Sequence, residues 1–187
     1  DTYLNSCYNA YEALWRTGQR ASFITEKQIA DGKLSNDKIL VIPSTANINE
    51  ISVEKLNAFT GRSVAVGDIP NKNEYNLAVN LNLKNFVKAS DDVNEISSIF
   101  ETILAEKNIP EITLRDSDGK LLDMTDIRTV TDENGILINA CNNTWTEKKN
   151  VSVYYAGKKL NKLKDELNNC SISSEFNLSP FVPVLLR

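Results

Sequence analysis

Apolar residues in this chain change their spacing part-way along it. At the start, Leu4, Cys7, Tyr8, Tyr11, Leu14 and Trp15 recur at helical intervals, which predicts an amphipathic helix stopped near Gly18. Ala21-Ser22-Phe23-Ile24-Thr25 predicts a strand, and residues 26–33 a short helical turn ended by Gly32. Ile39-Leu40-Val41-Ile42 is a run of consecutive apolar residues closed by Pro43, which has no N–H to donate. A strand apolar on both faces belongs in the middle of a parallel sheet, covered by helices on each side. Ser52 predicts the N-cap of a following helix, with Glu54 near its positive end and Ile51 stapled onto Leu56. Val53, Leu56 and Phe59 face inward, and Gly61 ends that helix. Residues 63–67 read as a buried strand, 68–84 as an Asn-rich loop, and 85–88 as a last short strand. Ser90 predicts a helix cap with Asp91 and Asp92 in the first turn. Val93, Ile96, Ile99, Phe100, Ile103 and Leu104 form the buried stripe of that helix.

From Pro110 the period becomes alternating. Residues 112–114, 127–130, 135–141, 151–155 and 182–186 predict strands. Asp116-Ser117-Asp118-Gly119-Lys120, Asn134-Gly135 and Ala156-Gly157 predict the turns between them. The expected fold is an α/β parallel sheet over residues 1–109, followed by a small all-β antiparallel sandwich over residues 110–187. An α/β module that opens on a helix lacks a feeding strand. The expectation is that this strand precedes Asp1 and that the chain is the tail of a longer protein.

Composition narrows the chemistry. There are no histidines, which removes Ser-His-Asp and Cys-His triads and the commonest metal ligand. Cys7, Cys141 and Cys170 form no C-x-x-C pair, so no metal or redox centre is expected. They read as small buried hydrophobes, with a Cys141–Cys170 pairing left open. The net charge is −4, and neither half of the chain is basic, so neither nucleic acid nor an anionic membrane is an expected partner. No apolar run approaches the ~20 residues of a membrane span. The first residues carry no signal-peptide pattern, and the compartment is left open between cytoplasm and secretion.

Candidate sites follow from position and residue type. Open α/β sheets keep their ligands at the carboxyl ends of strands, which places Ser44, Thr45 and Asn47 as ligand-loop candidates after the apolar run. They offer hydroxyls and an amide, with no nucleophilic thiol, acid or Gly-rich phosphate cradle. Trp145, or one of Tyr154 and Tyr155, is a candidate platform for a sugar ring, against the plainer reading that one tyrosine is core. Asp116-Ser117-Asp118-Gly119 opens like a calcium loop, but the twelfth position is Ile127 where a Glu is needed, so a solvated turn is expected. Asp123 with Asp126, and Asp91 with Asp92, are paired acids of the kind glycoside hydrolysis uses. For Asp91 and Asp92, helix N-terminal charge is the better account. Asn142-Asn143-Thr144, Asn150-Val151-Ser152 and Asn169-Cys170-Ser171 match the glycosylation sequon, as chance allows in an Asn-rich chain.

Tyr11-Glu12-Ala13-Leu14-Trp15-Arg16-Thr17-Gly18, the Phe23 segment, Ile39-Leu40-Val41-Ile42-Pro43-Ser44 and the helix of residues 52–59 together resemble the trimerisation domain of microbial β-galactosidases of glycoside hydrolase family 42. One departure is Gly61-Arg62, where that pattern has Gly-Gly. That domain is similar in fold to class I glutamine amidotransferases, a flavodoxin-like parallel sheet, but their nucleophilic Cys and its His have no counterpart here. Gly135-Ile136-Leu137-Ile138-Asn139-Ala140-Cys141-Asn142 and Leu178-Ser179-Pro180-Phe181-Val182-Pro183-Val184-Leu185-Leu186 resemble the small β domain that ends such hydrolases. The resemblance implies a non-catalytic C-terminal fragment of a glycoside hydrolase. It would pack on an upstream TIM-barrel catalytic domain and belong to a homo-oligomer, with no catalytic residue or cofactor of its own. Two other readings stand beside it: a carbohydrate-binding module using Trp145, and a free-standing small-molecule-binding protein with its ligand at residues 44–47.

Overall fold

A computed structural model describes residues 2–187; Asp1, the first residue of the expected α/β module, lies outside them. The chain divides into two compact units. Unit 1 comprises residues 2–11 with Ala21–Ile99, and unit 2 comprises Glu12–Arg20 with Phe100–Arg187. Helix α1 (Thr2–Arg16) and helix α4 (Val93–Glu106) each give residues to both units.

Unit 1 also holds α2 (Glu26–Ala30), β1 (Ile39–Ile42), α3 (Glu50–Ala58), β2 (Arg62–Val66) and β3 (Phe86–Ala89). Its three strands are parallel in the order β1-β2-β3. The middle strand is therefore β2, where Val64, Ala65 and Val66 are fully buried, and β1 lies at an edge, against the sequence expectation. Ile29, Leu40, Ile42, Ile48, Val53, Leu56, Phe59 and Leu83 make one core cluster.

Several local expectations for unit 1 differ from the structure. Residues 21–25 form no strand: Phe23 is 85% exposed, stacked on Tyr11, and Thr25 instead caps α2. The Thr25 hydroxyl accepts from the Gln28 N–H while the Gln28 side chain accepts from the Thr25 N–H, a complete capping box. The N-cap of α3 is Asn49, whose side chain accepts from the Ile51 N–H at 3.0 Å. Ser52 is buried inside the helix and donates to the Glu26 carbonyl at 3.1 Å. Ile51 is exposed, so it does not staple onto Leu56, and Phe59 rather than Gly61 is the C-cap. On α1 the wholly buried residues of the helix are Ser6, Ala10 and Ala13, while Leu4 and Tyr8 face outward. The α4 stripe is as expected at Ile96, Phe100, Ile103 and Leu104, but its capping carboxylate is Asp92, which accepts the Glu95 N–H at 2.9 Å.

Unit 2 is antiparallel. β10 (Cys170–Ile172), β9 (Leu163–Asp165), β12 (Val184–Leu186), β6 (Gly135–Asn142) and β5 (Thr125–Asp132) form one sheet in that order. β11 (Phe176–Leu178), β7 (Lys149–Tyr155) and β4 (Ile112–Arg115) form the second, with β8 (Lys158–Lys159) paired to β7. Alternating residues of both sheets, among them Leu114, Ile127, Ile138, Ala140, Val151, Val153, Leu178 and Leu186, share one core. The β7–β8 turn is made by Ala156 and Gly157, both at positive φ. The β5–β6 turn is Glu133-Asn134, one residue earlier than expected, because Gly135 pairs with Asp132. β8 to β11 are too short for alternation to reveal them. All three cysteines are free; Cys7 and Cys141 are half-buried, and Cys170 is exposed, not a core residue.

Candidate functional site

In the loop after β1, Ser44, Thr45 and Asn47 use polar groups to hold loops together. The Ser44 N–H donates to the Ser6 hydroxyl at 2.9 Å, and the Ser44 hydroxyl accepts from the Asp68 N–H at 3.2 Å. The Thr45 hydroxyl donates to the Asn47 carbonyl at 3.2 Å. The Asn47 amide donates to the Asn73 carbonyl at 2.8 Å and to the Asn76 side chain at 3.0 Å. Beside this loop a groove of about 350 Å³ is lined by Tyr3, Ile24, Ile29, Leu40, Ile42 and Thr45, among others. Its one carboxylate, Glu26, accepts the Asn49 N–H at 3.1 Å. Among the described residues the groove's lining is mostly apolar, with Tyr3, Glu26 and Thr45 as its polar members.

Trp145 lies in unit 2, in the other candidate region. It is 84% exposed, and Phe181 meets it edge-on with ring centroids 5.1 Å apart. Asn142 builds this arrangement. It is fully buried, and its amide donates to the Glu147 carbonyl at 2.7 Å and the Leu178 carbonyl at 3.1 Å. Its side-chain oxygen accepts from the Thr144 N–H and hydroxyl, and its own carbonyl accepts the Phe181 N–H at 2.8 Å. The loops that carry Trp145 and Phe181 are therefore fixed by one residue. The same burial removes Asn142 as a glycosylation acceptor in the folded chain; Asn150 and Asn169 are exposed.

The acids are placed as structural groups. Asp91 accepts from the Asn9 amide at 3.0 Å, and Asp92 caps α4. Asp116 accepts from the backbone N–H groups of Asp118 and Lys120 within its own turn. Asp123 is hydrogen-bonded by the buried Lys149 ammonium, which lowers its pKa against a smaller desolvation effect. Asp126 pairs with Arg128 at 3.0 Å. A cluster that sequence spacing did not disclose joins Glu101, Arg115 and Glu111, with the Arg115 guanidinium 5.6 Å from the Tyr154 ring centre. Burial, then the Glu101 charge, raises the Glu111 pKa, and Arg115 opposes them. Arg115 reaches both carboxylates, and its single positive charge leaves the cluster of three one negative charge in excess when both are ionised. Tyr154 is half-buried and Tyr155 exposed, so neither is core. Among the described residues no three or more Asp, Glu or Cys gather where they would hold a metal ion, and no helix is long and apolar enough to cross a membrane.

No family model matches the chain, and no curated protein matches it. Solved structures do. The apo form of a family-42 exo-carrageenase from Bacteroides ovatus matches 98% of this chain with a TM-score of 0.76 at 18% identity, over 26% of its own length. Gan42B, a family-42 β-galactosidase, matches 98% of the chain at a TM-score of 0.64 and 11% identity, over 36% of its length. A β-galactosidase from Bacillus circulans sp. alkalophilus matches 98% at a TM-score of 0.59 and 11% identity, over 37% of its length. The chain spans between 26% and 37% of these enzymes. Across both its units, it has the fold of a part of a family-42 glycoside hydrolase.

Proposed function

We propose that this chain is a non-catalytic, C-terminal portion of a glycoside hydrolase of the family-42 kind. Residues 1–109 act as an amidotransferase-like module for packing and subunit association. Residues 110–187 act as a bracing β module. Both serve a TIM-barrel catalytic domain elsewhere in the same polypeptide. The observation that carries the reading is the match of 98% of this chain to little more than a third of enzymes whose remaining length must hold other domains. The engagement of its paired acids with cations and backbone N–H groups supports the non-catalytic part. The test is hydrolysis of nitrophenyl galactosides by purified residues 1–187. No turnover is expected. Turnover that survives purification and disappears when one Asp or Glu is replaced overturns the proposal.

A second reading is favoured by the exposure of Trp145 and its fixed edge contact with Phe181. In that reading Trp145 stacks on a sugar ring at the border of a cleft. Calorimetric titration with galactose-type oligosaccharides checks it, with binding expected to be lost in Trp145→Ala.

A further inference from the structure

Unit 2 holds a charge cluster in which two acids compete for one nitrogen. Glu101 stands on the second half of α4, Arg115 on β4, and Glu111 in the link that leads into β4. Arg115 is held from two sides. Its Nε donates to the Thr113 hydroxyl at 3.2 Å and its Nη1 to the Gly119 carbonyl at 3.0 Å. The guanidinium lies over the Tyr154 ring of β7. Nη2 remains for the acids. It donates to Glu101 Oε1, while Glu111 Oε1 stands 3.6 Å from it, longer than a hydrogen bond. The other oxygen of Glu111, Oε2, is buried and meets no donor among the described residues. The Glu111 backbone is fixed in place, because its carbonyl accepts the Ala156 N–H at 2.9 Å at the end of β7. An ionised carboxylate withdrawn from water without hydrogen bonds is unfavourable, and a proton removes the charge.

We infer that Glu101, Arg115 and Glu111 form a proton-operated latch on the second half of α4. When Glu111 takes up a proton, the excess negative charge of the cluster disappears and Arg115 serves Glu101 alone. The helix is then held more firmly to β4. When Glu111 releases the proton, the two acids repel each other across a shared nitrogen and the hold slackens. The charges acting on Glu111 come from Glu101 on α4 and Arg115 on β4, and β7 contributes the Tyr154 phenol beneath the guanidinium. Burial sets the direction of the Glu111 pKa, which is raised above the ordinary 4.5; the Glu101 charge adds to this and Arg115 opposes it. A carboxyl raised in the folded state lowers stability at pH above its folded pKa, and that loss is gone below the unfolded value of 4.5. The latch therefore closes on mild acidification.

Carboxyl carbon NMR on residues 1–187 reads the Glu111 titration directly. Its midpoint is expected above 4.5, and is expected to fall in Glu101→Gln, where the repulsion is gone. A midpoint at or below 4.5 in the parent chain overturns the inference. Urea unfolding then compares the parent with Glu111→Gln, its neutral isostere, from about pH 4 to about pH 8. At the upper end the variant unfolds at the higher urea concentration, and the two midpoints converge at the lower end. The convergence amounts to about tenfold in the unfolding constant for each pH unit by which the Glu111 midpoint exceeds 4.5. A difference that is constant with pH is a packing effect and overturns the inference, as does no difference. Amide hydrogen exchange locates the effect. Residues 101–106 are better protected near ~pH 5 than near ~pH 8 in the parent, after correction for intrinsic rates, and equally protected at both in Glu111→Gln. Equal protection in the parent overturns the latch. Should Glu111→Gln not fold, the Glu111 titration and the α4 exchange of the parent chain decide.

Discussion

The amide of Asn142 ties two loops of unit 2 together, and it shows how much one buried polar side chain can fix. Each of its side-chain atoms has a partner, and its donors meet two backbone carbonyls. Asn142→Ala takes that donor from the Leu178 carbonyl inside the fold, where an unmet polar group costs about 1–3 kcal/mol, while the Glu147 carbonyl keeps the Thr144 hydroxyl. A loss of about that size or more is expected in urea unfolding, together with a changed Trp145 emission as its loop loosens. The sequence marks Asn142 as part of a sequon and as the end of the 135–142 segment, and neither pattern carries information on its burial. Charge offers a second test at this scale. Arg187 holds Asp132 through two hydrogen bonds, 2.8 and 2.9 Å, and the carboxyl pKa falls from 3.8 to about 2. A depressed carboxyl contributes stability above its unfolded value, and that contribution is lost as the pH falls through the folded one. The pair therefore acts fully above pH 3.8 and fades toward about 2. In Arg187→Ala the Asp132 titration, followed by carboxyl carbon NMR, is expected to move back up toward 3.8.

Among elements, α1 separates what spacing reveals from what it hides. Helical periodicity located the helix correctly, yet it chose the face with the large apolar residues. The buried side is made of Ser6, Ala10 and Ala13, followed by Thr17, whose hydroxyl donates to the Ala13 carbonyl at 3.1 Å. Small side chains bury completely where a helix backbone lies close to its neighbours, and hydropathy ranks them below Leu and Tyr. Ala13→Leu is expected to cost about 1–3 kcal/mol by overpacking. Tyr8→Ala, at a position 70% exposed, is expected to stay within about 0.5 kcal/mol in the same denaturation series. The reverse ranking would show that the large residues are the packing face. The β1 run was legible as a strand for its composition, but its place in the sheet was not. Sheet order depends on pairing between distant segments, and composition records only burial. The candidate loop at residues 44–47 was likewise located by rule, while the bonds from Asn47 to Asn73 and Asn76 depend on a loop that has no periodicity to read.

For the molecule as a whole, the two cores and the two helices that serve both units set how it unfolds. Leu56, 1% exposed, sits in the core of unit 1, and Leu178, fully buried, sits in that of unit 2. Either truncation to Ala is expected to cost about 2–5 kcal/mol through lost contacts and the cavity left behind. Were the units independent, each substitution would lower one calorimetric transition and leave another in place. Two helices, however, give residues to both units. Residues 2–11 of α1 belong to unit 1 and the rest of that helix to unit 2, and α4 is divided between Ile99 and Phe100. Melting one unit takes away the packing of half of each shared helix, and a helix of ~15 residues is marginal without such packing. Leu56→Ala and Leu178→Ala are therefore expected to shift a single heat-capacity peak, each to a lower temperature. Two peaks, with each substitution moving only its own, would show that the helices break at the division and that the units fold separately.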